Sequence, residues 1–290
     1  MSRRMRYATE LAVAGPWSLE TGKRFWESFT PNAIPEDDAV GTLNVRFLAE
    51  DHWTPVDATV AQAGTNARIA VSGNGDLEAA AGQVARILSL DVDATDWPSV
   101  GERDPVIGKA QKKLPGFRPC GFYSPYEAAA WAVLSQRTRI PEAARLRRQL
   151  ITVHGVDGAF PAPSKLVDAV DDGRVELPGR KAEYLSAVAA AAAEGILTGP
   201  HLRSLTEEAA REQLLSITGI GPFAVDLILI RGTNAVDILP RAERRLDAEI
   251  SHLYGPDRSI AGVSQAWRPF RSWAAVHLRA LREDRTHEMS

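Results

Sequence analysis

Few residues in this 290-residue chain have the type and spacing to do chemistry, and they cluster in its second half. Leu214-Leu215-Ser216-Ile217-Thr218-Gly219-Ile220-Gly221-Pro222-Phe223-Ala224 places a Gly-x-Gly turn between two helical stretches, with proline opening the second. Glycine lets a ligand come close to the backbone, and the open N–H groups of a helix N-terminus suit a phosphate. The same pattern also serves as a plain helix-to-helix connection. Further on, Glu243, Leu246, Ile250 and Leu253 recur at helical spacing, so an acid heads an inward-facing stripe. Such an acid either serves a cleft or simply favours the positive end of the helix dipole. One cysteine, Cys120, leaves no internal disulfide, Cys-rich zinc site or iron–sulfur cluster.

The elements that must position these residues are partly legible. Thr42 to Leu48 alternates apolar and polar residues, as a half-buried strand does, and Ala67 to Val71 before Ser72-Gly73-Asn74-Gly75 reads as another. Asp76 to Leu90 has helical spacing, with Asp76 as its cap. Asp91 to Gly121 is rich in Asp, Pro and Gly and carries little periodicity, which puts a domain boundary near residue 108. Ser124-Pro125-Tyr126-Glu127 is a capping box before an apolar run. Further helices fit Pro141 to Val153, Lys181 to Ala193, Thr206 to Ile217, Pro222 to Arg231, Pro240 to Leu253 and Trp267 to Leu281.

Composition narrows the classes. With 44% hydrophobic and 24% charged residues the chain is an ordinary globular one, and its apolar runs are too short to span a membrane. The first residues are basic but no apolar stretch follows them, so a cytoplasmic protein is expected. The net charge of −3 hides an asymmetry: residues 1–110 hold 10 basic and 16 acidic side chains, and residues 111–290 hold 24 and 21. A polyanion would meet the second part.

Four ordered segments carry a family resemblance: Ser124 to Arg137 (SPYEAAAWAVLSQR), Leu214 to Gly232 (LLSITGIGPFAVDLILIRG), Asp237 to Leu246, and Trp267 to Leu278 (WRPFRSWAAVHL). The chain resembles the helix-hairpin-helix DNA glycosylases, in particular the 3-methyladenine DNA glycosylase II branch, from about residue 115 to 280. The resemblance implies an α+β fold: a TATA-binding-protein-like α/β domain over residues 1–107, then an all-α glycosylase bundle over 108–290, in two halves about a central cleft. The function implied is that of a monomeric, monofunctional enzyme of base excision repair. It flips a damaged base, an alkylated purine, out of double-stranded DNA and hydrolyses its N-glycosidic bond.

The resemblance also assigns residues. Gly219, Ile220, Gly221 and Pro222 would grip a DNA phosphate, and the carbonyls of Leu215, Ile217 and Ile220 would hold a sodium or potassium ion, with no other cofactor. Arg137 would fill the gap left by the flipped nucleotide, its alternative being an exposed arginine at a helix end. Counting from Arg231-Gly232, the position of the family's catalytic Asp falls on Glu243, an acid longer by one methylene; Asp237 falls where the family has a second, noncatalytic Asp. A carboxylate there would stabilise positive charge developing on the sugar and orient or deprotonate water. A cationic alkylated base calls for aromatic faces, here Phe223, Phe270, Trp273, Phe25 and Trp26, each of which could equally be core packing. Arg279 stands in place of a family Trp, His277 reads as a packing residue, and Phe223 occupies the position of the lysine nucleophile of bifunctional members. The rival reading is a damaged-DNA-binding protein that lost turnover with the change from Asp to Glu.

Overall fold

Alternation of apolar residues builds a four-stranded antiparallel sheet from β1 (Met5–Ala12), β2 (Thr42–Ala49), β3 (Thr54–Ala63) and β4 (Asn66–Gly73), in the order β1-β4-β3-β2. Residues 4–27 and 41–286 are described by this computed structural model; the outer ends of the two expected domains, 1–3 and 287–290, lie outside it. Gly64, at φ 62°, takes the first position of the two-residue turn that pairs Ala63 with Asn66. Leu43, Val45 and Phe47 on β2, Val56, Ala58 and Val60 on β3, and Ala67, Ile69 and Val71 on β4 are all buried. This is the face that the period of two predicts.

The helices are α1 (Leu19–Glu27), α2 (Leu77–Ile87), α3 (Trp97–Arg103), α4 (Pro105–Lys113), α5 (Pro125–Ser135), α6 (Ile140–His154), α7 (Pro163–Asp171), α8 (Lys181–Ala193), α9 (Gly199–Ser204), α10 (Glu207–Leu215), α11 (Pro222–Leu227), α12 (Arg244–Tyr254), α13 (Ile260–Val263) and α14 (Arg271–Thr286). A π-helical turn, Ile228–Gly232, continues α11, and a 3-10 turn, Ser264–Trp267, precedes α14. Among the described residues no helix is long and apolar enough to cross a membrane.

Helix α5 is the hub. Ser124 caps it by accepting the Glu127 N–H at 3.2 Å, Pro125 takes the first turn, and every residue from Pro125 to Leu134 is buried. A helix buried on all sides must be apolar all round. Its one acid, Glu127, is held by Arg147 of α6 at 2.7 Å. The buried face of the sheet, α2, α5, α8 and α11 all contribute to one continuous apolar core.

Buried hydrogen bonds cross the same seam. Gln83 of α2 donates to the carbonyls of Leu48 (3.1 Å) and Tyr123 (3.0 Å), and Asn234 donates to those of Arg86 (2.9 Å) and Ile87 (2.8 Å). Residues Phe117 to Phe122, which carry the chain from α4 towards α5, are themselves buried. Within that stretch Arg118 donates to the carbonyls of Ser89 (2.7 Å), Val92 (2.8 Å) and Pro16 (3.0 Å).

A second apolar cluster joins Trp97, Val100, Ile107 and Ala110 to Leu246, Ile250, Trp267, Phe270 and Trp273. The stretch in which the sequence showed little periodicity thus contains α3 and α4, packed against α12 and α14. They are short, of 7 and 9 residues, and meet at the close approach of Gly101 and Gly108, so neither runs long enough to display a period. Asp104 joins them to the rest: it caps α4 through the Val106 N–H (2.9 Å) and accepts hydrogen bonds from Tyr254 (2.7 Å) and Trp267 (2.8 Å).

Candidate active site

The hairpin is built from local chemistry. Thr206 caps α10 by accepting the Ala209 N–H at 3.2 Å, and the chain then turns through Gly219, at φ 91°, into α11. A left-handed residue here must be glycine, because a Cβ at Gly219 would also collide with the ring of Tyr184. Gly221, the N-cap of α11, is extended, and a Cβ there would meet nothing within 4 Å. Backbone at Gly221 is therefore open to solvent. The Ile217 carbonyl accepts the Ile220 N–H at 3.0 Å within the turn.

The end of α5 is fastened to this hairpin. Gln136 donates to the Gly219 carbonyl at 2.6 Å, and the ammonium of buried Lys181 donates to the carbonyls of Val133 and Gln136, each at 2.8 Å. Burial pulls the pKa of Lys181 down. Arg137 follows, exposed and at φ 50°. The arginine and the hairpin turn thus share one edge.

Beside that edge lies a cleft of about 730 Å³ between α5, α11, α14 and the start of α12, in the size range of sites for small organic ligands. Phe223, Asp226, Leu227 and Ile230 line it from the hairpin, and Val276, Arg279, Ala280 and Glu283 from α14. Phe25 closes one wall from α1, and Trp131 lines it from α5. Phe223, a large apolar ring on this wall, is 45% exposed. Arg231 lies over Phe25, its guanidinium 5.3 Å from the ring centre, and donates to the Cys120 carbonyl at 2.6 Å. Burial lowers the Arg231 pKa to about 10.

Glu243 lines the cleft as the N-cap of α12, its carboxylate accepting the Arg245 N–H at 3.1 Å. The helix expected from Pro240 thus starts at Arg244. Two of the residues before it are held by another side chain, Asp226 of α11. Its carboxylate accepts the backbone N–H groups of Arg241 (2.6 Å) and Ala242 (3.0 Å), and the Arg211 guanidinium at 2.8 Å. Of the stripe headed by Glu243, Leu246 and Ile250 are buried, and Leu253 is exposed.

Of the five aromatic residues expected around a base, Phe25 and Phe223 line the cleft and three lie outside it. Trp26 is buried against Tyr123, with ring centres 5.4 Å apart. Phe270 and Trp273 pack on Trp97, at 5.6 and 5.7 Å. The reason is the facing of α14: Trp273 and His277 lie on the side turned to α3, whereas Val276, Arg279, Ala280 and Glu283 turn to the cleft. His277 bonds the Trp273 carbonyl at 2.8 Å through Nδ1, and burial lowers its pKa to about 4, so it is a neutral packing group. Asp237 is held by Arg268 (3.1 Å) and Arg271 (2.9 Å), at the start of α14. Trp131 and Asp226 are cleft residues that the sequence reading missed, and Asp226 carried a signal: it is the one acid in the run Phe223 to Ile230.

No protein-family model matches the chain. It is 30% identical over 220 residues to a probable bifunctional transcriptional activator/DNA repair enzyme AlkA of Mycobacterium tuberculosis, an alignment covering 70% of this chain and 42% of that protein. The chain therefore spans less than half the length of this relative. It is 25% identical over 206 residues to the DNA-3-methyladenine glycosylase of Bacillus subtilis, covering 66% of this chain and 68% of the relative. In three dimensions it is similar to a 3-methyladenine DNA glycosylase from Archaeoglobus fulgidus, with a TM-score of 0.73, 20% identity, and coverage of 98% of this chain and 100% of that one. A mostly helical α/β chain with this hairpin beside this cleft has a glycosylase fold. In sequence and fold it is similar to members of the helix-hairpin-helix DNA glycosylase superfamily.

Proposed function

We propose that the chain is a monofunctional DNA glycosylase that flips a damaged base, an alkylated purine, into the cleft and hydrolyses its N-glycosidic bond. The observation that carries this reading is the position of Glu243 on the wall of a cleft that the partly exposed Phe223 ring also lines. Glu243 supplies the anion that stabilises charge developing on the sugar, and Phe223, Trp131 and Phe25 supply faces for the base. Phosphate meets the open backbone from Gly219 to Pro222, with a sodium or potassium ion on the carbonyls of Leu215, Ile217 and Ile220. Neutral carbonyl oxygens suit a hard monovalent cation. Arg137 replaces the flipped nucleotide in the stack. The protein works as a monomer, with a TATA-binding-protein-like part over residues 1–107 and a two-part helical bundle over 108–290.

Strand cleavage by a Schiff base is not part of this proposal, because none of the six lysines lines the cleft. A second reading, a damaged-DNA binder without turnover, draws on one observation: the Glu243 carboxylate already caps its own helix.

Incubation with alkylated, deaminated and oxidised duplexes, followed by alkali to reveal abasic sites, separates the two. Release of an alkylated purine is expected, with no covalent complex trapped by borohydride. The Glu243→Gln variant should excise about a hundredfold more slowly while binding damaged DNA nearly as well. Excision at an equal rate by the variant would remove Glu243 from the chemistry; no excision by the natural protein would favour the binder.

A further inference from the structure

The cleft face of α11 and of the π-helical turn that continues it is apolar at Phe223, Leu227 and Ile230 and interrupted at one place by an acid, Asp226, only 3% exposed. Burying a carboxylate is costly unless it is hydrogen-bonded and paired, so its partners indicate what it does. There are three: one guanidinium and two backbone amides. The amides belong to Arg241 and Ala242, the two residues immediately before Glu243. This segment is neither helix nor strand, and no element of its own holds it in place.

Arg211 comes from α10, where it also bonds Glu207 at 2.8 Å, and Glu207 in turn accepts the Arg241 guanidinium at 3.0 Å. Both helices of the hairpin are thereby tied to the segment that presents Glu243. Phe223 stands three residues before Asp226 on the same helix, so this carboxylate joins the element that carries the exposed ring to the segment that ends in Glu243.

We infer that Asp226 is a positioning residue: it does not touch the scissile bond but fixes where the Glu243 carboxylate stands against the sugar. This rests on the reading of Glu243 as the reacting carboxylate. Misplacing a catalytic group by about 1 Å can cost a hundredfold in rate, so small changes at Asp226 should register in turnover rather than in DNA affinity.

The test uses the full chain on the duplex that the natural protein excises, in single-turnover format. Asp226→Asn keeps the shape and one acceptor for the two amides but gives up the charge facing Arg211. Asp226→Glu keeps the charge and displaces the acceptor by one methylene. Each should lower the excision rate by about tenfold or more while the Kd for undamaged duplex changes by less than about threefold.

In a Glu243→Gln background the Asn substitution should add little further loss, because a group that acts through another has no effect once the other is gone. A merely structural role would multiply the two losses, and that result, or an undiminished rate in Asp226→Glu, overturns the proposal. If the natural protein excises nothing, the reading of Glu243 fails by itself. Amide hydrogen exchange then decides for Asp226: faster exchange at Arg241 and Ala242 in Asp226→Asn supports the holding role, and unchanged protection ends it.

Discussion

At the scale of single residues, what the sequence could offer was the type of a side chain and its distance along the chain from a landmark. Counting from Arg231-Gly232 singled out Glu243, which lies on the cleft wall; the helical stripe read with it holds only in part, since the helix starts at Arg244 and Leu253 is exposed. For Asp226 the sequence offered only the oddity of an acid in an apolar run and not the partners, which are backbone amides 15 and 16 residues away in a segment without periodicity. His277 illustrates how burial decides a role. Its imidazole lies against Trp97 and Phe117, with ring centres 4.8 and 5.0 Å away, and its pKa is lowered to about 4. The unfolded chain takes up a proton at this residue near pH 6.5, whereas the folded one resists down to about 4. The unfolded state thus binds more protons across that window, and stability is lost as the pH falls from about 6.5 to about 4, by roughly 3 kcal/mol in all. Thermal unfolding of the natural protein and of His277→Phe, which keeps a ring, should show the steeper acid decline in the natural protein between pH 7 and 5. Parallel curves would mean that His277 titrates normally.

At the scale of elements, caps and turns were the most readable features. Ser124 and Asp76 each cap the helix that the sequence assigned to them, and the helix expected from Thr206 has that residue as its cap. Aromatic facing was not readable: a tryptophan on α14 looks the same in sequence whether it meets a base or Trp97. The hairpin permits a clean separation of roles, because its two glycines are needed for different reasons. Gly219→Ala places a side chain at φ 91° against Tyr184 and should cost about 1–3 kcal/mol of stability, seen as a lower Tm. Gly221→Leu places one in open space, so the fold should survive with a loss under about 1 kcal/mol. If the backbone there meets a phosphate, the Leu variant should bind all duplexes more weakly, and by a similar factor whatever their sequence. An unchanged Kd at fixed salt would place the DNA backbone elsewhere.

For the whole molecule, the sequence indicated an α/β start and a helical remainder, and both are present; how the two meet was not legible, since Gln83, Asn234 and Arg118 do their work on distant carbonyls. Because one core and these buried bonds run through both regions, sheet and bundle should unfold together. Calorimetry should show a single transition, and Asn234→Leu, which removes the side-chain donor that joins the Arg86 and Ile87 carbonyls to the bundle, should destabilise the fold by about 1–3 kcal/mol without splitting the transition. Two resolved transitions would show that the regions are thermodynamically separate.

Domain linkers usually run over the surface, where a protease can nick them and one body can swing against another. Here the stretch from Phe117 to Phe122 is buried, and its arginine is clamped by carbonyls on the sheet side. A lid motion of the N-terminal region would tear out that arginine and open the core, so the region acts as a fixed jaw. Phe25 is then a stationary wall: under the proposed function, a base entering the cleft must fit the gap it finds there, and selection by shape would be built in before any DNA arrives.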